Sequence, residues 1–200
     1  MQAAPLSGGF ANPATQSAHA FRSVMEAMAC PGTIQLIVGA SPPAPLSPAA
    51  RAVLLTLCDT ETPIYLAGEM DCDAARSWLS FHTGAPFVGP AQCMFAVGKW
   101  EALGPLSIYP IGTSEYPDHS VTLIVDSAQL SASGARLTGP GIKDHAALSL
   151  PELEAFQANN VLFPLGLDFI FTSGSHLAAL PRSTQISRLC SKAGAQVGAS

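Results

Sequence analysis

Val121-Thr122-Leu123-Ile124-Val125-Asp126 is the stretch on which the fold turns. It is a β-branched, apolar run, and such a run is expected to be a buried strand. It is entered from Gly112-Thr113-Ser114-Glu115-Tyr116-Pro117-Asp118-His119-Ser120, the densest polar cluster in a polar-poor chain. Gly, Pro and Ser punctuate that cluster as a loop. Loops held at strand ends by a rigid scaffold are where binding and catalysis tend to be placed.

Outward from this strand, helical and strand-like segments alternate. Toward the N-terminus, Asn12-Pro13 sets an N-cap before a proline at the first helical position, and Ala18, Phe21, Met25 and Met28 recur at helical spacing until Pro31-Gly32. That stripe is expected to face the core, with His19 and Arg22 exposed. Thr33 to Val38 reads as a short strand, and the four prolines between Gly39 and Pro48 as an extended loop. Ser47-Pro48 repeats the cap signal for a helix carrying Val53, Leu54 and Leu57 and ending near Asp59. Ile64 to Ala67 reads as a strand covered on both faces. Asp73 can cap a third helix, with Ala75, Trp78, Leu79 and His82 on one face and Gly84 as its stop.

Gln92 to Val97 and Leu106 to Tyr109 read as two extended pieces around a turn at Lys99-Trp100-Glu101, suggesting a hairpin. Beyond the central strand, Ala135 to Thr138 is a further strand, closed by Gly139-Pro140-Gly141. Ser149 and Glu152 have capping-box spacing for a helix with Leu153 and Phe156 that runs down at Asn159-Asn160. Leu167 to Thr172 alternates as a strand with a wetter face at Asp168 and Thr172. The expected architecture is a three-layer α/β/α sandwich with a mixed sheet, in one domain over residues 1–190. Residues 191–200 are Ala, Gly and Ser rich and read as a disordered tail.

The 200 residues carry only 12% charged side chains against 48% hydrophobic ones. That is too little charge to cover a monomer, so part of the surface is expected to be buried against another subunit. The net charge is -5 and the nine basic residues are scattered, which excludes a nucleic-acid footprint. No apolar run reaches transmembrane length and no signal peptide is apparent, so a cytoplasmic protein is expected. Five cysteines without C-x-x-C spacing fit neither a disulfide framework nor a metal site, and the first four read as buried small apolar residues.

Chemistry-bearing residues are few. Glu115 and Asp118 offer an acid/base pair with Tyr116 nearby, although Asp118 after Pro117 is equally a turn residue bonding its own backbone. Asp118, His119 and Ser120 do not make a triad, because neighbours at a strand entrance point to alternate faces. Gly139 and Gly141, with Lys143 behind them, could present N–H groups and a lysine to a phosphate, but Pro140 removes one donor. Arg182, with Ser183 and Thr184, suits an anion or the tying down of the final segment.

Taken in order, six groups of phrases resemble one family. They are Phe21-Arg22 through Met25, Ala27-Met28 and Pro31-Gly32-Thr33; Trp78-Leu79 with Phe81-His82-Thr83-Gly84-Ala85-Pro86; Gly112-Thr113 with Glu115-Tyr116-Pro117-Asp118. Then come Leu137-Thr138-Gly139-Pro140-Gly141-Ile142; Phe163-Pro164-Leu165-Gly166 with Asp168; and Leu180-Pro181-Arg182. The chain resembles the PhnH family of the bacterial carbon-phosphorus lyase system over about residues 10 to 185. The resemblance implies a cytoplasmic homodimer that works with the PhnG, PhnI and PhnJ subunits, with no cofactor and a fold similar to the large domain of pyridoxal-phosphate-dependent transferases. It implies an accessory role as ATP and methylphosphonate form ribose 1-methylphosphonate 5-triphosphate. Lys99, Lys143 and Lys192 are not placed for a Schiff base, and no cysteine pattern holds an iron–sulfur cluster. The alternative is a stand-alone nucleotide- or phosphonate-binding enzyme with a pocket around Glu115, Asp118 and Arg182.

Overall fold

The computed structural model describes residues 7–37, 44–127 and 129–188. The expected tail over 191–200, Cys190, Lys192 and the end of the Thr33–Val38 run lie outside the described residues. The first helix, α1 (Pro13–Ala29), starts as its sequence dictates: Asn12 is extended and its side chain accepts from the Thr15 N–H, while Pro13 needs no donor in the first turn. A two-residue strand follows, β1 (Gln35–Leu36), then α2 (Pro48–Leu57), capped by the Ser47 hydroxyl on the Ala50 N–H at 3.1 Å. Strand β2 (Ile64–Leu66) leads to α3 (Asp73–Thr83). Cys72, not Asp73, occupies its N-cap and makes no side-chain cap, whereas Gly84 closes the helix in the left-handed region at φ 68° as expected.

The chain continues through β3 (Phe95–Gly98), the single-turn α4 (Trp100–Leu103), β4 (Thr122–Asp126), β5 (Ala135–Thr138) and β6 (Ala146–Leu148). It ends in α5 (Leu153–Val161), β7 (Asp168–Ser173), β8 (His176–Leu180) and β9 (Gln185–Arg188). Six strands form a mixed sheet in the order β1-β8-β7-β4-β3-β2. The run β2, β3, β4, β7 is parallel, and β8 and β1 extend it antiparallel. The quoted stretch is central to it: β4 pairs Thr122 with Phe95 on one side and with Asp168 on the other. Leu123, Ile124 and Val125 are completely buried, because this strand is covered on both faces.

One face of the sheet packs on the first three helices, joining Ile124, Ile170 and Val97 to Val24, Val53, Leu54 and Trp78. The other face, with Leu123, Val125, Phe169 and Phe171, packs on Leu103, on Phe156 of α5 and on Leu137 and Leu148 of a second sheet. That second sheet is antiparallel, in the order β6-β5-β9. The three-layer expectation therefore holds in coarse outline, but one outer layer is part helix and part sheet. The short strands β6, β8 and β9 are additional to the expected elements.

Four further local expectations change. In α1 the buried residues are Ala20, Val24 and Ala27, while Phe21 and Met25 are 48% and 51% exposed. The helix is apolar on two sides, and the side with small residues lies closer to α2, whose Ala49, Ala50 and Ala52 are also buried. No hairpin forms around Lys99: β3 is sandwiched between β2 and β4, and Leu106–Ile108 is a 3-10 turn between Pro105 and Pro110. Ser149 does not cap α5; its hydroxyl accepts from the Ser131 N–H at 3.0 Å, and Glu152 occupies the N-cap without a side-chain bond. Thr172 is wholly buried, with its hydroxyl donating to Asp126 at 2.9 Å. Cys58 and Cys93 are buried as expected, and Cys30 and Cys72 half-buried.

Arg51 is the polar exception in the core. It is completely buried, its three guanidinium nitrogens make no hydrogen bond, and its charge lies 4.8 Å above the Trp78 ring. Desolvation lowers its pKa to about 10 against the opposing fields of Cys72 and Asp126. No helix among the described residues is long and apolar enough to cross a membrane.

Candidate functional site

The polar loop is closed on itself before it meets anything else. The Thr113 N–H donates to the Tyr116 carbonyl at 3.0 Å, the Tyr116 N–H to the Thr113 hydroxyl at 3.0 Å, and the His119 N–H to the Tyr116 carbonyl at 3.2 Å. An Ile111–Ser120 bridge clamps its base. Gly112 sits at φ 82° with the Pro117 carbonyl only 2.6 Å from where a Cβ would stand, so the turn requires glycine. Glu115 and Asp118 are exposed; Tyr116 and His119 stack outside with ring centroids 4.9 Å apart. The nearest charged partner of His119 is Asp118, at 3.9 Å and in solvent.

Arg182 reaches this loop from the turn after β8. Its Nη1 donates to the Pro117 carbonyl at 2.7 Å and its Nη2 to the Ser120 hydroxyl, while Nε and Nη2 face both oxygens of Asp168 at the start of β7. The Arg182 N–H also donates to Asp168 at 2.8 Å, and the Arg182 carbonyl accepts from the Asn160 side chain at 2.8 Å. The two charged side chains are 14% and 16% exposed. Arg182 and the loop are thus brought together, but its donors point at the protein's own acceptors, and neither Glu115 nor Asp118 takes part. Arg182 and Asp168 stand 14 positions apart across a hairpin, so no local pattern in the sequence pairs them.

Gly141 lies elsewhere, against the end of α1, while Gly139 lies against the segment just after Arg182. A Cβ on Gly141, at φ 78°, would meet the Ala29 carbonyl at 1.8 Å, and one on Gly139 would meet the Ser183 carbonyl at 3.2 Å. The loop holds its backbone close to α1, and Lys143 behind it is exposed. Two of the resembling phrases, Pro31-Gly32-Thr33 and Gly139-Pro140-Gly141, are therefore neighbours in space.

A cleft of about 720 Å3, with no signal in the local sequence, opens between the 104–111 segment and α5. Leu106, Ile111, Ala155, Leu162 and Leu167 make its walls, and Glu101 and Glu152 stand at one end. The Trp100 indole donates to Glu152 at 3.2 Å and stacks on Phe156. Tyr109 also lines the cleft, but its hydroxyl is buried without a hydrogen-bond partner; burial, then Tyr65 and Cys93, push its pKa up. Among the described residues no group of three or more His, Cys, Asp or Glu side chains could hold a metal ion.

The comparisons with known proteins bear on this arrangement. The profile of the family described as bacterial phosphonate metabolism protein (PhnH) matches residues 8–187. A Rhizobium meliloti (strain 1021) protein is 38% identical over 193 residues, which are 91% of this chain and 96% of the relative. That relative is named alpha-D-ribose 1-methylphosphonate 5-triphosphate synthase subunit PhnH. The Stutzerimonas stutzeri protein HtxG, whose name proposes a C-P lyase subunit, is 27% identical over 176 residues, 84% of each chain.

Proposed function

Because this chain belongs to the PhnH family, we propose that it is an accessory subunit of a carbon-phosphorus lyase core complex. It acts with PhnG and PhnI, and alongside PhnJ, as ATP and methylphosphonate form ribose 1-methylphosphonate 5-triphosphate in phosphonate catabolism. The observation that carries this reading is the 38% identity to a named synthase subunit over nearly the full length of both chains. The site geometry agrees in kind: the polar loop and Arg182 satisfy each other, as a structural corner does, and offer no converged set of reacting groups.

The same reading takes the protein as a single domain over 1–190, cytoplasmic and homodimeric. The exposed, uncharged stripe Ala14, Ala18, Phe21 and Met25 of α1 supports self-association, since a two-fold interface must be complementary to itself. The mixed six-stranded sheet is compatible with a relation to the large domain of pyridoxal-phosphate-dependent transferases. No cofactor is assigned: Lys99 pairs with Glu69 at 2.8 Å at the surface, and Lys143 is exposed.

Co-expression with PhnG and PhnI tests the proposal. The expected outcome is one stable complex by size-exclusion chromatography with light scattering, and restored growth on methylphosphonate in a strain lacking its own PhnH. Turnover of a nucleotide or phosphonate by the isolated protein would count against it. So would the absence of any complex.

A further inference from the structure

We propose that the cleft between the 104–111 segment and α5 is the groove into which a different subunit docks an apolar segment, with a lysine or arginine at the end that meets Glu101 and Glu152. This rests on the subunit reading above and adds where the contact is made and by what chemistry. The groove is already built. The Asn159 side chain accepts from the Leu167 N–H and donates to the Leu167 carbonyl, at 2.8 and 2.9 Å, and the Gly166 N–H donates to the Ile111 carbonyl at 3.0 Å. Both walls are therefore tied to the 166–167 segment, one through the Asn159 side chain and one through the backbone, and an occupant does not have to order them.

The groove continues outward into an apolar lip. Val161 is 82% exposed, Leu162 44% and Phe163 57%, and Pro164 beside them is exposed too. The turn needs none of these side chains, because Asn159 and Asn160 make its hydrogen bonds. Four adjacent exposed apolar residues joined to an apolar cleft are what an interface leaves when its partner is removed. A small ligand confined to the cleft would leave the lip in water.

Charge at the other end selects the partner. Glu101 and Glu152 line the groove and no basic side chain does; Trp100 fixes Glu152 by its indole N–H. A second copy bound through this face by a two-fold axis would bring the same acidic end, beside which Lys99 is already paired with Glu69, and like charges across an interface oppose association. A separate chain with a basic residue beside its apolar side chains fits both ends of the groove.

The test uses the full chain co-expressed with the other subunits. Leu162→Asp and Glu101→Lys alter exposed positions, so each should keep the wild-type melting temperature while weakening assembly at least tenfold. In a second measurement, p-benzoylphenylalanine placed at Phe163 should photo-crosslink to another subunit. Wild-type assembly that survives both substitutions unchanged, or a crosslink to a second copy or to nothing, overturns the groove and leaves the subunit reading standing. If the wild-type chain itself does not assemble, the subunit reading fails and the groove falls with it.

Discussion

Arg182 shows how one side chain can organise what looks in sequence like an active-site loop. Its guanidinium neutralises Asp168, which is largely withdrawn from water, and spends its remaining donors on Pro117 and Ser120. Removing one partner of a mostly buried ion pair strands the other, at a cost of about 3 kcal/mol. Arg182→Ala is therefore expected to lower the unfolding free energy by about that amount in urea titration. Arg182→Lys should not rescue it, because an ammonium cannot span two carboxylate oxygens, a carbonyl and a hydroxyl in one plane. A change below about 0.5 kcal/mol for the alanine variant, the range of ordinary surface substitutions, would contradict this role. Glu115 and Asp118 have no part in the network, and their substitution should not register in the same titration.

At the scale of elements, what was legible followed local chemistry. The caps at Asn12 and Ser47 and the stop at Gly84 lie where short-range hydrogen bonding puts them, and the run 121–126 became the central strand because Val121, Leu123, Ile124 and Val125 are β-branched or apolar and suited to burial. What was not legible depended on distant partners. The face α1 buries was ambiguous because Phe21 and Met25 compete with Val24 and Ala27, and the choice is made by the alanines of α2. Strand β9 is mostly exposed and has no apolar signal; it exists because β5 and α5 offer it hydrogen bonds. The cleft is likewise made by two segments that meet at the Trp100–Glu152 hydrogen bond, 52 positions apart, so no local pattern could announce it. The Gly139–Gly141 loop was legible as a turn but not as a contact. Gly141→Ala puts a methyl group on the Ala29 carbonyl and a side chain at φ 78°, so the loop must leave α1. The expected loss is about 2 to 4 kcal/mol, as for strained backbone with a steric clash. Faster amide exchange in the last turn of α1 would localise it, and unchanged exchange there would argue against the contact.

For the whole molecule, the two packed faces of the large sheet share a weakness at alkaline pH. Cys58 belongs to the core under the first three helices, and Cys93 and Tyr109 to the core on the opposite face. Burial, helped by Asp59, pushes the Cys58 thiol up to about 12, and burial pushes Cys93 up to about 11; Tyr109 moves in the same direction. The unfolded chain releases these thiol protons near pH 9 while the folded chain retains them. Above that pH the folded state binds more protons, so its stability must fall as pH rises, by up to about 1.4 kcal/mol per pH unit for each group. Arg51 has the opposite sign, because its lowered pKa of about 10 makes the folded state the weaker proton binder, but only above that value. The window from pH 8 to 10 therefore isolates the buried acids. The melting temperature is expected to hold to about pH 8.5 and then decline, in line with the thiol values. Replacing both Cys58 and Cys93 by Ala should lower the starting melting temperature by a few degrees, on the scale of small core cavities, and flatten the decline. A wild-type melting temperature that stays level to pH 10, or a double variant that declines as steeply, would show that these thiols do not couple the two faces to pH.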